Sequence, residues 1–128
     1  MDMSFILVDD DKINNFINER LIRISFAEAK ITTFTNPIVG LEYVTTNFNK
    51  PVTNNTFLFL DINMPEMTGW EFMDQINKAK LIAKENLLIY IISSSVDPSD
   101  LKKAKNSKNI IDFIEKPLTK RFLDSLKI

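Results

Sequence analysis

Thr56-Phe57-Leu58-Phe59-Leu60-Asp61-Ile62-Asn63-Met64-Pro65-Glu66-Met67-Thr68-Gly69 is the stretch on which the reading of this chain turns. Four apolar residues, Phe57 to Leu60, run without a polar break. That is the pattern of a short strand buried on both faces in a parallel sheet. The run ends on a carboxylate, Asp61, and the backbone then changes character. Met64-Pro65 is biased away from helix, and Gly69 supplies a flexible corner before Trp70 opens the next element. An ionisable group at the carboxyl end of a central strand stands where open α/β sheets bind ligands, so Asp61 is the first candidate for chemistry.

The same alternation extends in both directions. Upstream, Met3 to Val8 forms a first strand that runs into Asp9-Asp10-Asp11. From Lys12, the residues Ile13, Phe16, Ile17, Leu21 and Ile24 fall at helical spacing and are predicted as the apolar face of a helix. Lys30 to Phe34 reads as a second strand. Asn36-Pro37 then starts a helix, with Asn at the cap and Pro at the first position, and Ile38, Leu41 and Val44 as its inward stripe. Thr45 to Asn55 is polar, contains Pro51 and is predicted as a loop. Downstream of the central strand, Trp70, Met73 and Ile76 mark a helix with one apolar face. Leu87 to Ile92 is a fourth strand ending in Ser93-Ser94-Ser95, and Asp97-Pro98 opens a short helix around Leu101 and Ala104. Ile110 to Ile114 is a fifth strand closing on Glu115-Lys116-Pro117, and Thr119 caps a last helix carrying Phe122, Leu123 and Leu126.

This is a (βα)5 α/β chain. Strand–helix alternation requires parallel pairing through right-handed crossovers, so helices cover both faces of the sheet. The flavodoxin-like five-stranded order 2-1-3-4-5 is the natural arrangement. With 128 residues the expectation is a single domain, residues 1–128, with no internal repeat or linker. Because the sequence ends at Ile128, within or just after the last helix, no second domain is expected.

Composition removes several function classes. Apolar residues make up 45% and charged residues 26% of the chain, the profile of a folded domain, and the net charge of -1 gives no global field for nucleic acid or membrane. From Leu101 onward eight Lys or Arg stand against three acids, most simply as exposed side chains on helices. There is no cysteine and no histidine, which removes disulfides, thiolate metal sites, the usual zinc ligand and the usual general base. The start of the chain lacks a signal-peptide pattern and no apolar run approaches membrane-spanning length, so a cytoplasmic location is expected.

In the expected order, strands 1 and 3 are neighbours, which brings Asp9 and Asp10 beside Asp61. Clustered carboxylates repel one another unless something cationic is present, and a hard, oxygen-seeking ion such as Mg2+ meets that need. Ser93 ends strand 4 with a hydroxyl, and Lys116 ends strand 5 with an ammonium on a rigid Lys-Pro corner. A nucleophilic carboxylate, a metal, a hydroxyl and a lysine can together bind a tetrahedral phosphoryl group.

On Phe5-Ile6-Leu7-Val8-Asp9-Asp10, Leu60-Asp61-Ile62-Asn63-Met64-Pro65-Glu66-Met67-Thr68-Gly69, Ile92-Ser93-Ser94 and Lys116-Pro117, the sequence resembles the response-regulator receiver domains of two-component signalling, of the stand-alone chemotaxis-regulator type. The resemblance covers essentially the whole chain. It implies that Asp61 is a phosphoacceptor, charged by a phosphohistidine on a sensor histidine kinase or a histidine phosphotransfer protein. It implies Mg2+ bound by Asp10, Asp61 and the backbone carbonyl of Asn63, with Asp9 acting mainly through water. Ser93 would hydrogen-bond the phosphoryl oxygen after moving inward, with Ser94 the next choice in a run of three serines. Phe113 would be the aromatic switch whose rotamer follows that move. Only intrinsic phosphotransfer and autodephosphorylation are implied, not enzymatic turnover. The output would be a protein-interaction surface read by a downstream protein, without direct nucleic-acid or membrane contact, in a monomer or a phosphorylation-dependent dimer. The chain departs from many family members at Ser107-Lys108-Asn109-Ile110, where a glycine is common. A phosphatase of the haloacid-dehalogenase type fits less well: its second acid lies two residues after the nucleophile, where this chain has Asn63, and its nucleophile belongs to the first strand.

Overall fold

The computed structural model describes residues 3–127, so the expected chain end at Ile128 lies outside the described residues. The strands are β1 (Ser4–Val8), β2 (Lys30–Phe34), β3 (Thr56–Asp61), β4 (Leu87–Ser93) and β5 (Ile110–Glu115). The helices are α1 (Lys12–Ser25), α2 (Pro37–Asn47), α3 (Gly69–Ala79), α4 (Pro98–Asn106) and α5 (Lys120–Ser125), with one 3-10 turn at Lys84–Asn86. The five strands form one sheet in the order β2-β1-β3-β4-β5, all parallel, as expected.

Side chains alternate across the sheet and divide the core in two. Ile6, Val8, Leu58, Leu60, Ile89 and Ile91 face one way, where Val44 of α2, Phe72, Met73 and Ile76 of α3, and Ala104 of α4 pack on them. Phe5, Leu7, Phe57, Phe59, Tyr90 and Ile92 face the other way, toward Ile22 of α1 and Leu123 of α5. This second layer is largely aromatic. Phe5 stacks on Phe57 at 5.2 Å between ring centroids, and Tyr90 meets Phe59 at 5.7 Å and Phe122 at 5.5 Å, both edge-on. Large rings rising from the strands fill much of the space that a helix would otherwise supply.

That filling bears on α1, which lies the opposite way round from the sequence-based expectation. Its buried residues are Asn15, Asn18, Ile22 and Ser25, and of the expected face only Leu21 is half-buried against this layer, whereas Ile13, Phe16, Ile17 and Ile24 are exposed. Two residue sets on this helix share the helical period, and the packed one is mostly polar. In α2, likewise, Val44 is buried and Leu41 half-buried, but Ile38 is exposed. α2 also runs further than predicted, to Asn47. The backbone ladder continues to the Phe48 N–H on the Val44 carbonyl, and Thr45 Oγ1 donates to the carbonyls of Leu41 and Glu42 and Asn47 Nδ2 to that of Tyr43, so the last turn accommodates polar side chains where composition suggested a loop.

Candidate acidic site at the carboxyl edge

Register places the site. β1 and β3 pair with Val8 opposite Leu60, so the next residue of each strand, Asp9 and Asp61, lie side by side. Asp61 pairs with Ile92 of β4, which puts Ser93 one step beyond. Ser93 pairs with Glu115 of β5, and the Lys116 N–H donates to the Ser93 carbonyl at 2.8 Å. Four strand ends therefore deliver Asp9, Asp61, Ser93 and Lys116 to one edge.

Asp9 is 1% and Asp61 5% exposed, and Lys116 Nζ spans the two, 2.6 Å from Asp9 Oδ2 and 3.3 Å from Asp61 Oδ1. The other Asp9 oxygen accepts the Asp11 N–H at 2.9 Å, and Asp61 Oδ1 accepts the N–H of Ile62 at 2.9 Å. Asp11 itself caps α1 by accepting from the Ile13 and Asn14 N–H groups, and so starts the helix immediately after the acidic pair. Asp10 is exposed; one oxygen from each of Asp9, Asp10 and Asp61 lies within 4.8 Å of the others. Burial raises the Asp61 carboxyl to about 6, with the Asp9 charge adding to the rise and Lys116 opposing it. Burial alone would lower the Lys116 ammonium, but its bond to Asp9 and the charge of Asp61 outweigh that, and the net shift is upward.

This donor set suits a hard divalent cation. It consists of oxygens only, clustered at one mouth, in a chain without imidazole or thiolate. Asn63 is exposed just after the acidic strand end. Ser93 is buried, and its Oγ accepts the Ser95 N–H at 3.3 Å; Ser94 is exposed. Phe113 is half-buried against the core layer of α2, α3 and α4.

Three contributions were not read from the sequence, which marked Gly69 only as a flexible corner. Gly69 is needed for close approach: its N–H donates to Ile62 O at 2.9 Å, and a Cβ there would fall 2.5 Å from the Asp61 carbonyl oxygen. Thr68 and Glu71 form a capping box at the start of α3, a signal present in the sequence as T-x-x-E. Asn15 enters the site's support from the inward face of α1, at a spacing shared with Asn18, Ile22 and Ser25.

The family model of the Response regulator receiver domain matches residues 5–126. Among solved structures, a two component response regulator from Cytophaga hutchinsonii is 30% identical, with a TM-score of 0.86 over 97% of this chain and 92% of that one. A response regulator receiver protein from Dyadobacter fermentans is 27% identical, with a TM-score of 0.82 over 97% and 94% of the two chains. A receiver domain from Rhodospirillum rubrum shares the fold at 17% identity and a TM-score of 0.77, over 96% of this chain and 89% of that one. No curated protein matches the chain. Among the described residues no helix is long and apolar enough to cross a membrane. With five parallel strands in the order 2-1-3-4-5 and an acidic pocket of Asp9, Asp10 and Asp61 at their carboxyl edge, the chain belongs to the response regulator receiver domain family.

Proposed function

We propose that the protein is the phosphoacceptor of a two-component phosphorelay, with Asp61 as the residue phosphorylated. The observation that carries this reading is the Lys116 ammonium bridging Asp9 and Asp61 beside the exposed Asp10. A carboxyl with a value of about 6 is mostly ionised, and hence nucleophilic, at neutral pH. One Asp61 carboxylate oxygen attacks the phosphorus of a phosphohistidine on a sensor kinase or phosphotransfer protein. The new P–O bond forms as the P–N bond breaks, and the imidazole leaves and takes its proton from solvent. Asp9, Asp10, Asp61 and the Asn63 carbonyl are the groups that would hold Mg2+, which supplies positive charge to the phosphoryl oxygens when bound. Lys116 neutralises a second phosphoryl oxygen, and the Ser93 hydroxyl donates to a third once it leaves the Ser95 N–H. Phe113 follows that movement on β5 and changes the surface read by a downstream partner.

The outward row on α1 supports a protein as the phosphodonor. Ile13 is 68%, Phe16 62% and Ile24 65% exposed, with Ile17 between them. The row begins two residues after the Asp11 cap, beside the mouth of the pocket. A donor reaching Asp61 covers this end of α1, and an apolar helix face on that donor matches its spacing.

The test is intact-mass measurement after incubation with acetyl phosphate and Mg2+. The protein gains one phosphate, and both Asp61→Asn and chelation abolish the gain. A gain that survives Asp61→Asn overturns the assignment. Phe16→Asp should slow transfer from a protein donor by more than about tenfold while leaving acetyl phosphate labelling unchanged.

A further inference from the structure

We propose that Asn15 is a positioning residue for the acidic site, one that fixes the Asp9–Asp10 peptide and so sets the direction of Asp10. The inference rests on the reading of this edge as a metal-assisted phosphoacceptor site.

Asn15 is 4% exposed on the inward face of α1. Its Nδ2 donates to the Asp9 carbonyl at 3.0 Å and to the Phe34 carbonyl at 3.2 Å. Two acceptors need two donated hydrogens, so the NH2 side of the amide must face them. The Phe34 carbonyl also accepts the Asp9 N–H at 3.0 Å. One side chain therefore ties the carboxyl ends of β1 and β2 to the first turn and a half of α1.

The Asp9 carbonyl belongs to the peptide that joins Asp9 to Asp10. Holding that oxygen fixes the rotation of the peptide plane, and with it the direction in which Asp10 leaves the strand. Asp9 has other restraints: Asp11 N–H and Lys116 Nζ on its two carboxylate oxygens. Asp10 is exposed, and its route into the cluster with Asp9 and Asp61 runs through this one peptide plane. The amide of Asn15 is thus the side chain that pre-orients Asp10 relative to Asp9.

A second observation points the same way. Asn15 Oδ1 is buried and has no hydrogen-bond partner. An apolar side chain at this position would avoid that loss, and α1 carries apolar residues at neighbouring positions that face solvent instead. A polar group kept inside with half its capacity unused is explained by the half that is used.

The experiment compares Asn15→Leu, which keeps the branched shape and removes the donor, with Ile22→Ala, which loosens the same inward face of α1 away from Asp9. Asn15→Ser, too short to bridge both carbonyls, stands in if the leucine variant does not fold. In metal-free protein, amide hydrogen exchange at Asp9 and Asp11 should speed up by about tenfold or more in the Asn15 variants. Those two amides should be unchanged relative to the rest of β1 in Ile22→Ala. Mg2+ titration followed by fluorescence of the single tryptophan, Trp70, should show affinity about tenfold or more weaker in the Asn15 variants. Acetyl phosphate labelling at fixed Mg2+ should fall in proportion and recover at saturating Mg2+. Unaltered exchange at Asp9, or a loss of Mg2+ affinity no larger than in Ile22→Ala, overturns the proposal. Failure of the wild-type protein to label at all overturns the phosphoacceptor reading instead, and the exchange comparison still decides the role of Asn15.

Discussion

Helices α1 and α3 flank the same acidic pocket and are built on opposite plans. α3 follows the ordinary rule: Phe72, Met73 and Ile76 are buried against the sheet, Gly69 lies against the Asp61 backbone, and a capping box closes its first turn. α1 buries Asn15, Asn18 and Ser25 around Ile22, with Leu21 half-buried beside it, and leaves Ile13, Phe16, Ile17 and Ile24 outside, with Arg20 over the Phe16 ring. The difference shows that one sheet can hold one helix by a full apolar face and another by fewer apolar contacts, here Ile22 and the half-buried Leu21, together with an amide paired to strand-end carbonyls. The second plan is open to α1 because Phe5, Phe57, Phe59 and Tyr90 already crowd the sheet face beneath it. It leaves an apolar row free on the side of the helix that borders the site.

The contrast is sharpest between two phenylalanines. Phe72→Ala should cost about 3–5 kcal/mol, since a fully buried ring is removed from α3. Phe16→Ala should stay within about 0.5 kcal/mol, since its ring is already in solvent. Denaturant titration of the two variants measures both, and equal losses would erase the distinction between the helices. Next in size is Gly69→Ala. Its Cβ meets main chain rather than a flexible side chain, so the α3 start or the Asp61 loop must shift, at about 1–3 kcal/mol. Heteronuclear NMR of that variant should show displaced Ile62 and Gly69 amides while α1 signals hold.

Asp61, between the helices, gives a smaller effect of opposite sign. Its folded carboxyl lies at about 6 against the usual 3.8, so the folded state holds the proton more tightly than the unfolded one. Stability associated with this group is present below about pH 4 and is lost as pH rises through about 6. In metal-free protein, Asp61→Asn should therefore match the wild type at pH 4. It should exceed it by about 1–2 kcal/mol at pH 8, allowing for solvent screening, or a few degrees in Tm. A thermal melt series across that range checks it, and a variant less stable at pH 8 would contradict the desolvation argument. Phe16→Ala aside, the smallest effect is Thr68→Ala. Removing one member of the capping box should cost about 1 kcal/mol, read by denaturant titration, and should leave the α1 row untouched.

The site was legible because its chemistry sits at strand ends. Apolar runs buried on both faces read plainly as β1, β3 and β4, and each leads into a polar residue at the carboxyl edge: Asp9, Asp61 or Ser93. Thr45 and Asn47 were less legible, since a polar side chain that bonds back to its own helix resembles a loop residue. Gly69 was readable as a corner but not as a close approach, which depends on where the Asp61 carbonyl lies in space.

The sequence by itself determined the five strand–helix units, the parallel sheet and the acidic edge with its lysine, because these follow from local runs and from the residues that end them. The facing of α1 belonged to the tertiary structure. Positions 13, 16, 17, 21 and 24 and positions 15, 18, 22 and 25 both satisfy the helical period, so periodicity could not choose between them. The choice came from the aromatic layer beneath the helix and from two carbonyls at the ends of β1 and β2 that Asn15 could pair.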